Sequence, residues 1–315
     1  MKIKLFVSHR IDIDSFVIKN DIITSVYCGA VYKKDKCNKD IIGDNTGDNI
    51  SELRMNFNEL TVQYWAWKNV EADYYGLCHY RRYFALQNEN DGHINEQNQI
   101  YLPFFTKCIT EKYALDSEEK LKKLCQEYDL IIPKPADVKT IKAFGKQQND
   151  VLELWQAYTG YFFDKGGIEL LLKTINKIKP QYYQCAVDYF KQDKHRGYNC
   201  YLMRKDLFFE LCDFQFSVLF DMYKSIKDTD ELKQYPRTLG YMGEILYGIY
   251  INTLLDQKIR QKEIRLVFIE ANSKNNNFIF KTIVLLKCCG KRILLKYFPA
   301  SLQKYVKKAY HKILK

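Results

Sequence analysis

The strongest constraint on this chain is a rhythm. Short, almost wholly apolar runs return along its length, separated by segments of helical length and period. Residues 2–8, 22–31, 73–78, 129–133, 198–204 and 264–269 read as strands. Between them, Leu53, Phe57, Leu60, Tyr64 and Trp67 recur at the spacing of one helical face, which predicts a helix over 51–69. Helical patterns also cover 117–127, 147–159, 166–178, 206–226 and 239–256. Apolar strands alternating with helices imply an α/β fold with a mostly parallel central sheet. In such sheets ligands bind beyond the carboxyl ends of the strands, where the loops collect.

The polar clusters follow strand candidates. Asp44, Asn45, Asp48 and Asn49 lie in a glycine-containing loop just ahead of the helix at 51–69. Carboxylates and amides there suit a ribose or base, with a phosphate near the helix start. A surface turn with a helix cap is the competing reading. His79-Tyr80-Arg81-Arg82-Tyr83 follows the strand at 73–78. Arginines grip phosphate oxygens in a fork geometry, and a histidine adds a donor. If strand alternation persists, His79 and Arg81 face one way, Tyr80 and Arg82 the other; structural ion pairs would use the same residues. The third cluster joins Tyr198 and Asn199 to Arg237, Tyr241 and Glu244. A carboxylate early in an apolar helix can take a proton from a hydroxyl, or merely complement the helix dipole.

The net charge of +11 is not spread over the chain. Residues 281–315 hold ten Lys/Arg and no acidic residue, leaving 39 basic against 38 acidic residues elsewhere. After Pro299 the apolar Leu302, Tyr305, Val306, Ala309 and Ile313 alternate with Lys304, Lys307, Lys308 and Lys312. That pattern predicts a basic amphipathic tail over 276–315, suited to an anionic membrane surface, after a domain over 1–275. A nucleic-acid partner is not expected, because the charge does not sit on the domain. Ten cysteines without a Cys-x-x-Cys pair fit a reducing, cytoplasmic setting. No run of about 18 apolar residues predicts a membrane span.

Dinucleotide, P-loop and serine-hydrolase readings lack their glycine motifs. The five histidines show no metal-ligand spacing, so no metal-ligating residue is assigned. Asp12-Ile13-Asp14 is a weak Asp-x-Asp match, placed after the first strand. Tyrosine and phenylalanine, 25 and 19 residues, suit sugar binding, since a ring face packs on C–H groups while a hydroxyl bonds a sugar hydroxyl.

Taken together, Asp44-Asn-Thr-Gly-Asp-Asn-Ile-Ser51, Glu59-Leu-Thr61, Tyr64-Trp-Ala-Trp-Lys-Asn69 and Gly76-Leu-Cys-His-Tyr-Arg-Arg-Tyr-Phe84 resemble one family. It is the capsular or exopolysaccharide glycosyltransferase family long catalogued as a domain of unknown function. Tyr198-Asn-Cys-Tyr-Leu-Met-Arg204 and Arg237-Thr-Leu-Gly-Tyr-Met-Gly-Glu244 are similar to its later motifs, with Cys200 where Met is expected. The resemblance spans roughly 3–270. It implies a GT-A-like fold, a nucleotide-sugar donor such as a UDP-hexose, and a lipid-linked oligosaccharide acceptor. A divalent metal, Mg²⁺ or Mn²⁺, is compatible with it, although His79-Tyr80-Arg81 stands where such folds carry their metal-holding motif. On this reading Glu244, His79 and Arg81 are catalytic. Asp44, Asn45, Asp48, Asn49 and Arg82 serve the nucleotide sugar, and Tyr198, Asn199, Arg237 and Tyr241 serve the sugar and acceptor. The alternative is a non-catalytic, membrane-peripheral protein that binds glycan or nucleotide.

Overall fold

The structure, a computed structural model, describes residues 1–33, 38–255 and 257–271. The predicted basic tail at 276–315 lies outside the described residues. The strands are β1 (Ile3–Arg10), β2 (Ile23–Cys28), β3 (Ile42–Gly43), β4 (Tyr74–His79), β5 (Arg82–Phe84), β6 (Ile100–Phe104) and β7 (Leu130–Pro133), followed by β8 (Ala136–Asp137), β9 (Lys142–Ala143), β10 (Lys146–Gln147), β11 (Lys194–His195), β12 (Tyr201–Arg204), β13 (Gln261–Ile264) and β14 (Leu266–Ala271). The α-helices are α1 (Arg54–Phe57), α2 (Leu60–Asn69), α3 (Lys107–Tyr113), α4 (Glu118–Glu127), α5 (Val151–Gln156), α6 (Gly167–Ile178), α7 (Tyr183–Phe190), α8 (Lys205–Ile226), α9 (Asp230–Gln234) and α10 (Thr238–Leu255).

The main sheet runs β13-β7-β12-β4-β1-β2-β3, with β5, β14 and β6 continuing from β4. Pairings β1–β2, β1–β4, β2–β3 and β7–β13 are parallel, and β12 alone runs against its neighbours β4 and β7. The carboxyl ends of β1, β2 and β4 therefore meet on one edge. Because β12 is reversed, the residues that precede it, Tyr198 and Asn199, arrive at that same edge.

Successive strand residues point to opposite faces, and the sheet accordingly divides two cores. Phe6, Tyr75, Leu77, Tyr201 and Met203 join the side covered by α2, α6, α7, α8 and α10. Leu5, Val7, Tyr74, Cys78, Cys200 and Leu202 join the other, where Leu121 and Cys125 of α4 pack. Helix α10 is apolar nearly all round, as a helix enclosed by others must be. Among the described residues no helix is long and apolar enough to cross a membrane.

The predicted helix over 51–69 is in fact three pieces: a 3₁₀ turn Ser51–Leu53, then α1, then α2. The break falls at Asn58, whose φ is 50°. Asparagine tolerates that left-handed backbone better than most residues, and the bend aims its side chain at α10. There Asn58 Oδ1 accepts from Arg237 Nε at 3.1 Å, while a Cβ at Gly240 would overlap the Asn58 amide. Gly243 likewise leaves room for Leu60. The glycines of Gly240-Tyr-Met-Gly243 thus let α10 seat against this corner.

Candidate active site

A cleft of about 380 Å³ opens at the carboxyl edge of the sheet. Ser8, Arg10 and Asp12 bring the end of β1 to it, Cys28 that of β2, and His79-Tyr80-Arg81 that of β4. Arg54, Met55, Asn58, Glu59 and Arg237 close the other wall. Four arginines and one histidine thus face two carboxylates, Asp12 and Glu59. Asp12 is held by Arg10, and by Arg54 Nη2 at 3.2 Å. Its carboxyl is kept below the usual range by the hydrogen bond from Arg10, which outweighs partial burial.

The chain turns immediately after β4: His79 pairs antiparallel with Arg82, and Tyr80-Arg81 is the turn. The expected strand alternation therefore stops at His79. The turn separates Arg82, which lines a neighbouring cavity, from His79 and Arg81, but Tyr80, expected on the side of Arg82, lines the cleft with them. His79 Nδ1, Arg81 Nε and Arg82 Nε are buried and find no hydrogen-bond partner among the described residues. The guanidinium of Arg81 lies 5.2 Å from the centre of the Phe268 ring, and that of Arg82 lies 4.9 Å from Phe268 and 4.4 Å from Tyr198. Flat aromatic faces support these cations without consuming their N–H groups. Burial pushes the imidazole of His79 well below its ordinary value, and Arg82 and Arg81 add to the effect. At neutral pH it is an uncharged donor or acceptor, and the positive charge belongs to the arginines.

The neighbouring cavity, about 180 Å³, is lined by Arg82, Gln97, Ile141, Leu154, Trp155, Tyr158, Phe162, His195, Tyr198, Tyr241 and Glu244. Glu244 sits in the second turn of α10 and accepts from the Tyr198 backbone N–H at 3.1 Å. Its pKa is raised to about 7, chiefly by burial and then by the carboxylate of Glu59, with Arg82 opposing. His195 is lowered to about 4 by burial and is neutral. Asn199 connects the two spaces: its Nδ2 donates to Glu59 Oε1 at 3.0 Å, while its buried Oδ1 has no partner among the described residues. Tyr198 and Asn199 adopt φ of 79° and 46°. Consecutive left-handed residues that are not glycine store strain, which is typical of functional sites.

The structure thus brings Glu244, His79, Arg81, Arg82, Tyr198, Asn199, Arg237 and Tyr241 together. It does not bring Asp44, Asn45, Asp48 and Asn49 to the cleft lining. Asp44 is fully buried, and its carboxylate accepts from the N–H of Gly29 (2.8 Å) and Ala30 (2.9 Å), from Ser51 Oγ and from Thr61 Oγ1 at 2.6 Å. Asn45 and Asp48 are exposed, and Asn49 binds its own loop. The rest of that loop is fastened to α2: Trp65 Nε1 donates to Thr46, Tyr64 to Asp48, and Asn69 Oδ1 accepts from the Asp48 N–H. This cluster shapes the backbone at 29–30, next to cleft residue Cys28, rather than reaching a ligand directly. The residues added by the structure are Arg10, Asp12, Arg54, Asn58 and Glu59. Of these, Asp12, within Asp12-Ile13-Asp14, and Glu59, within Glu59-Leu-Thr61, carried a sequence signal.

Among the described residues no three His, Cys, Asp or Glu side chains come together to hold a metal ion. The acidic group nearest the arginines, Asp12, is already neutralised by two of them. Four arginines and a single carboxylate without an ion pair among the described residues do not fit a divalent cation, and no step below is routed through one.

Fold and site together define an α/β protein whose parallel strands β1, β2 and β4 end at an arginine-lined cleft beside the Glu244 carboxylate. Residues 4–257 match the family described as Domain of unknown function (DUF4422), and the chain belongs to that family. The fold is also that of the bifunctional glycosyltransferase WbbM in an apo structure, with a TM-score of 0.73 and 25% identity. The match covers 88% of this chain and 48% of that one, so the chain spans about half of its length. No curated protein sequence matches. These findings agree with the family resemblance carried by the motifs.

Proposed function

We propose that this protein transfers a hexose from a nucleotide sugar, a UDP-linked galactose in either ring form being the leading candidate, to a lipid-linked glycan in capsule, O-antigen or exopolysaccharide assembly. The observation that carries the reading is the pairing of an arginine-lined cleft, in which His79 Nδ1 and Arg81 Nε lack partners among the described residues, with a carboxylate poised near neutrality beside it. The likeness to half of a bifunctional glycosyltransferase supports it.

In this mechanism the diphosphate of the donor lies in the cleft against Arg81, Arg10 and Arg237, with His79 giving a neutral hydrogen bond. Arg82 faces the reacting sugar between cleft and cavity. The acceptor hydroxyl oxygen attacks the anomeric carbon from the cavity side. Its proton passes to Glu244, the bond from the anomeric carbon to the diphosphate oxygen breaks, and UDP leaves with the electron pair, inverting the centre. A pKa near the working pH is what a general base requires, and fixed cations replace the charge neutralisation that a metal supplies elsewhere. Tyr198, Asn199 and Tyr241 shape the sugar and acceptor side. Asp44, Asn45, Asp48 and Asn49 act through the loop they hold together. The basic segment 276–315 keeps the enzyme on the inner face of an anionic membrane.

Glu59 beside Glu244 is an arrangement that a glycan hydrolase would also use. Glu59 is engaged by Asn199, however, and hydrolysis gives the arginines no anion to hold. The test is incubation with radiolabelled UDP-hexoses and lipid-linked acceptor on anionic vesicles, with and without EDTA. A transferase moves label into the lipid fraction, faster on anionic vesicles and unaffected by EDTA. Binding of UDP without label transfer sinks the enzymatic reading in favour of a binding protein, and abolition by EDTA sinks the metal-free mechanism.

A further inference from the structure

Outside the cleft, the surface carries a continuous aromatic feature of which the mechanism uses only the first ring, Tyr241. It begins in the wall of the Glu244 cavity, where Tyr241 stacks on Phe162 with ring centres 3.9 Å apart. Phe162 stacks on Tyr158 at 4.6 Å, Tyr158 meets Phe144 edge-on at 5.6 Å, and Phe144 stacks on Tyr161 at 4.2 Å. Five rings thus run from the carboxylate to solvent, and the last two are 56% and 64% exposed.

Two tight turns present these rings. Phe144 and Gly145 form the two-residue tip of the β9–β10 hairpin, both left-handed at φ of 50° and 81°. Such turns favour asparagine or glycine at the first position, so a phenylalanine there is strained and exposed at once. The hairpin is tied to the cavity wall, since Ile141, just before β9, lines it. The second turn places Tyr158, Tyr161 and Phe162 around Gly160 (φ 81°), whose N–H bonds Phe163 O at 2.9 Å. No side chain fills the space beside Gly145 or Gly160. Strain spent on exposing an apolar ring is a signature of binding rather than packing.

We propose that this aromatic ladder is an extended acceptor subsite that stacks successive sugar rings of an oligosaccharide whose growing end reaches Glu244. The proposal rests on the transferase reading and adds to it that the acceptor is recognised over several sugars. The ladder's chemistry suits a sugar better than a hydrocarbon chain. The hydroxyls of Tyr241, Tyr158 and Tyr161 alternate with the phenyl rings of Phe162 and Phe144, Gln97 lies in the same wall, and Lys142 and Glu96 flank the hairpin. Ring faces receive C–H groups, and the hydroxyls and amide receive sugar hydroxyls. An acyl or isoprenoid chain would leave those polar groups unpaired.

Saturation-transfer NMR on the full chain loaded with UDP tests this without relying on turnover. The probes are galactose, galactotriose, maltotriose and cellotriose. At least one trisaccharide should bind more tightly than galactose. Phe144→Ala and Tyr161→Ala should each weaken that trisaccharide by about 3- to 10-fold, as loss of one aromatic contact implies, while Phe144→Trp retains it. Tyr183→Ala, which removes an exposed tyrosine elsewhere, should have no effect. UDP affinity and thermal melting report that each variant is folded. The proposal is overturned if no probe binds, if trisaccharides bind no better than galactose, or if the alanine variants bind normally. It is equally overturned if those variants lose only their attachment to phosphatidylglycerol vesicles. Failure of label transfer with trisaccharide binding intact would instead remove the transferase reading.

Discussion

The cleft and the cavity, which meet at Asn199, treat charge in opposite ways. In the cleft, Arg81 is held against an aromatic face with its Nε unpartnered among the described residues, and Arg10, Arg54 and Arg237 stand around it, so positive charge is present before any ligand arrives. In the cavity, burial lifts Glu244 to about 7 and drops His195 to about 4, so both groups are pushed toward their neutral forms. A leaving group that gains negative charge needs the first environment. A proton acceptor that must change charge during turnover needs the second. The two are adjacent because β4 and the reversed β12 deliver His79 and Asn199 to the same edge.

The sharpest way to break this contrast is Glu244→Gln. Turnover should fall about 100- to 10,000-fold, the range for loss of a general base, while UDP affinity measured by calorimetry stays within about threefold. Wild-type turnover would remove Glu244 from its role. Next in size is Asp44→Ala, which strips four donors of their shared acceptor. Unfolding by denaturant should show a loss of about 3 kcal/mol or more, with UDP affinity reduced only through the loosened loop. A loss of UDP binding in a variant of full stability would return Asp44 to direct contact with the nucleotide. Arg81→Met should then weaken UDP by about 10- to 100-fold with little change in the melting temperature of the ligand-free protein, because Arg81 Nε has no hydrogen-bond partner among the described residues. A large drop in melting temperature would make Arg81 structural.

The smallest effect is also the most diagnostic. Because native Glu244 keeps its proton to about 7, against an ordinary 4.5, the folded state binds more protons between those limits. Stability is therefore lost as pH rises through that window, and Glu244→Gln should be the more stable protein above pH 7, by about 2 kcal/mol. The advantage should vanish below about pH 4. Over the same range kcat of the wild type should rise with pH along a limb centred near 7. A stability difference between variant and wild type that is the same at both pH values would show that the carboxyl is not perturbed in this way.

Much of the frame was legible from periodicity, because short apolar runs can only be buried strands when helices flank them. The runs at 2–8, 73–78 and 129–133 correspond to β1, β4 and β7, and the motifs at 79–82 and 237–244 contain residues that line the cleft and cavity. What could not be read was long-range. The reversal of β12 left no mark in its residues. Glu59 matters only because Asn199, 140 residues away, turns left-handed to meet it. The polar loop at 44–51 looked like a ligand site because it is rich in carboxylates and amides. Its partners Thr61, Tyr64, Trp65 and Asn69 are the polar members of the next motif, a reciprocity that composition alone does not reveal.

The corner at Asn58 has a further consequence for how the protein comes into being. It is completed only when Arg237 and Gly240 dock on it, and the aromatic support of Arg81 and Arg82 is completed only when Phe268 is laid down in β14. A chain emerging from the ribosome would already own β1, β4 and most of the sheet, yet would lack these contacts until residues 237–268 had been synthesised. This wall of the cleft is thus assembled after the strands it leans on.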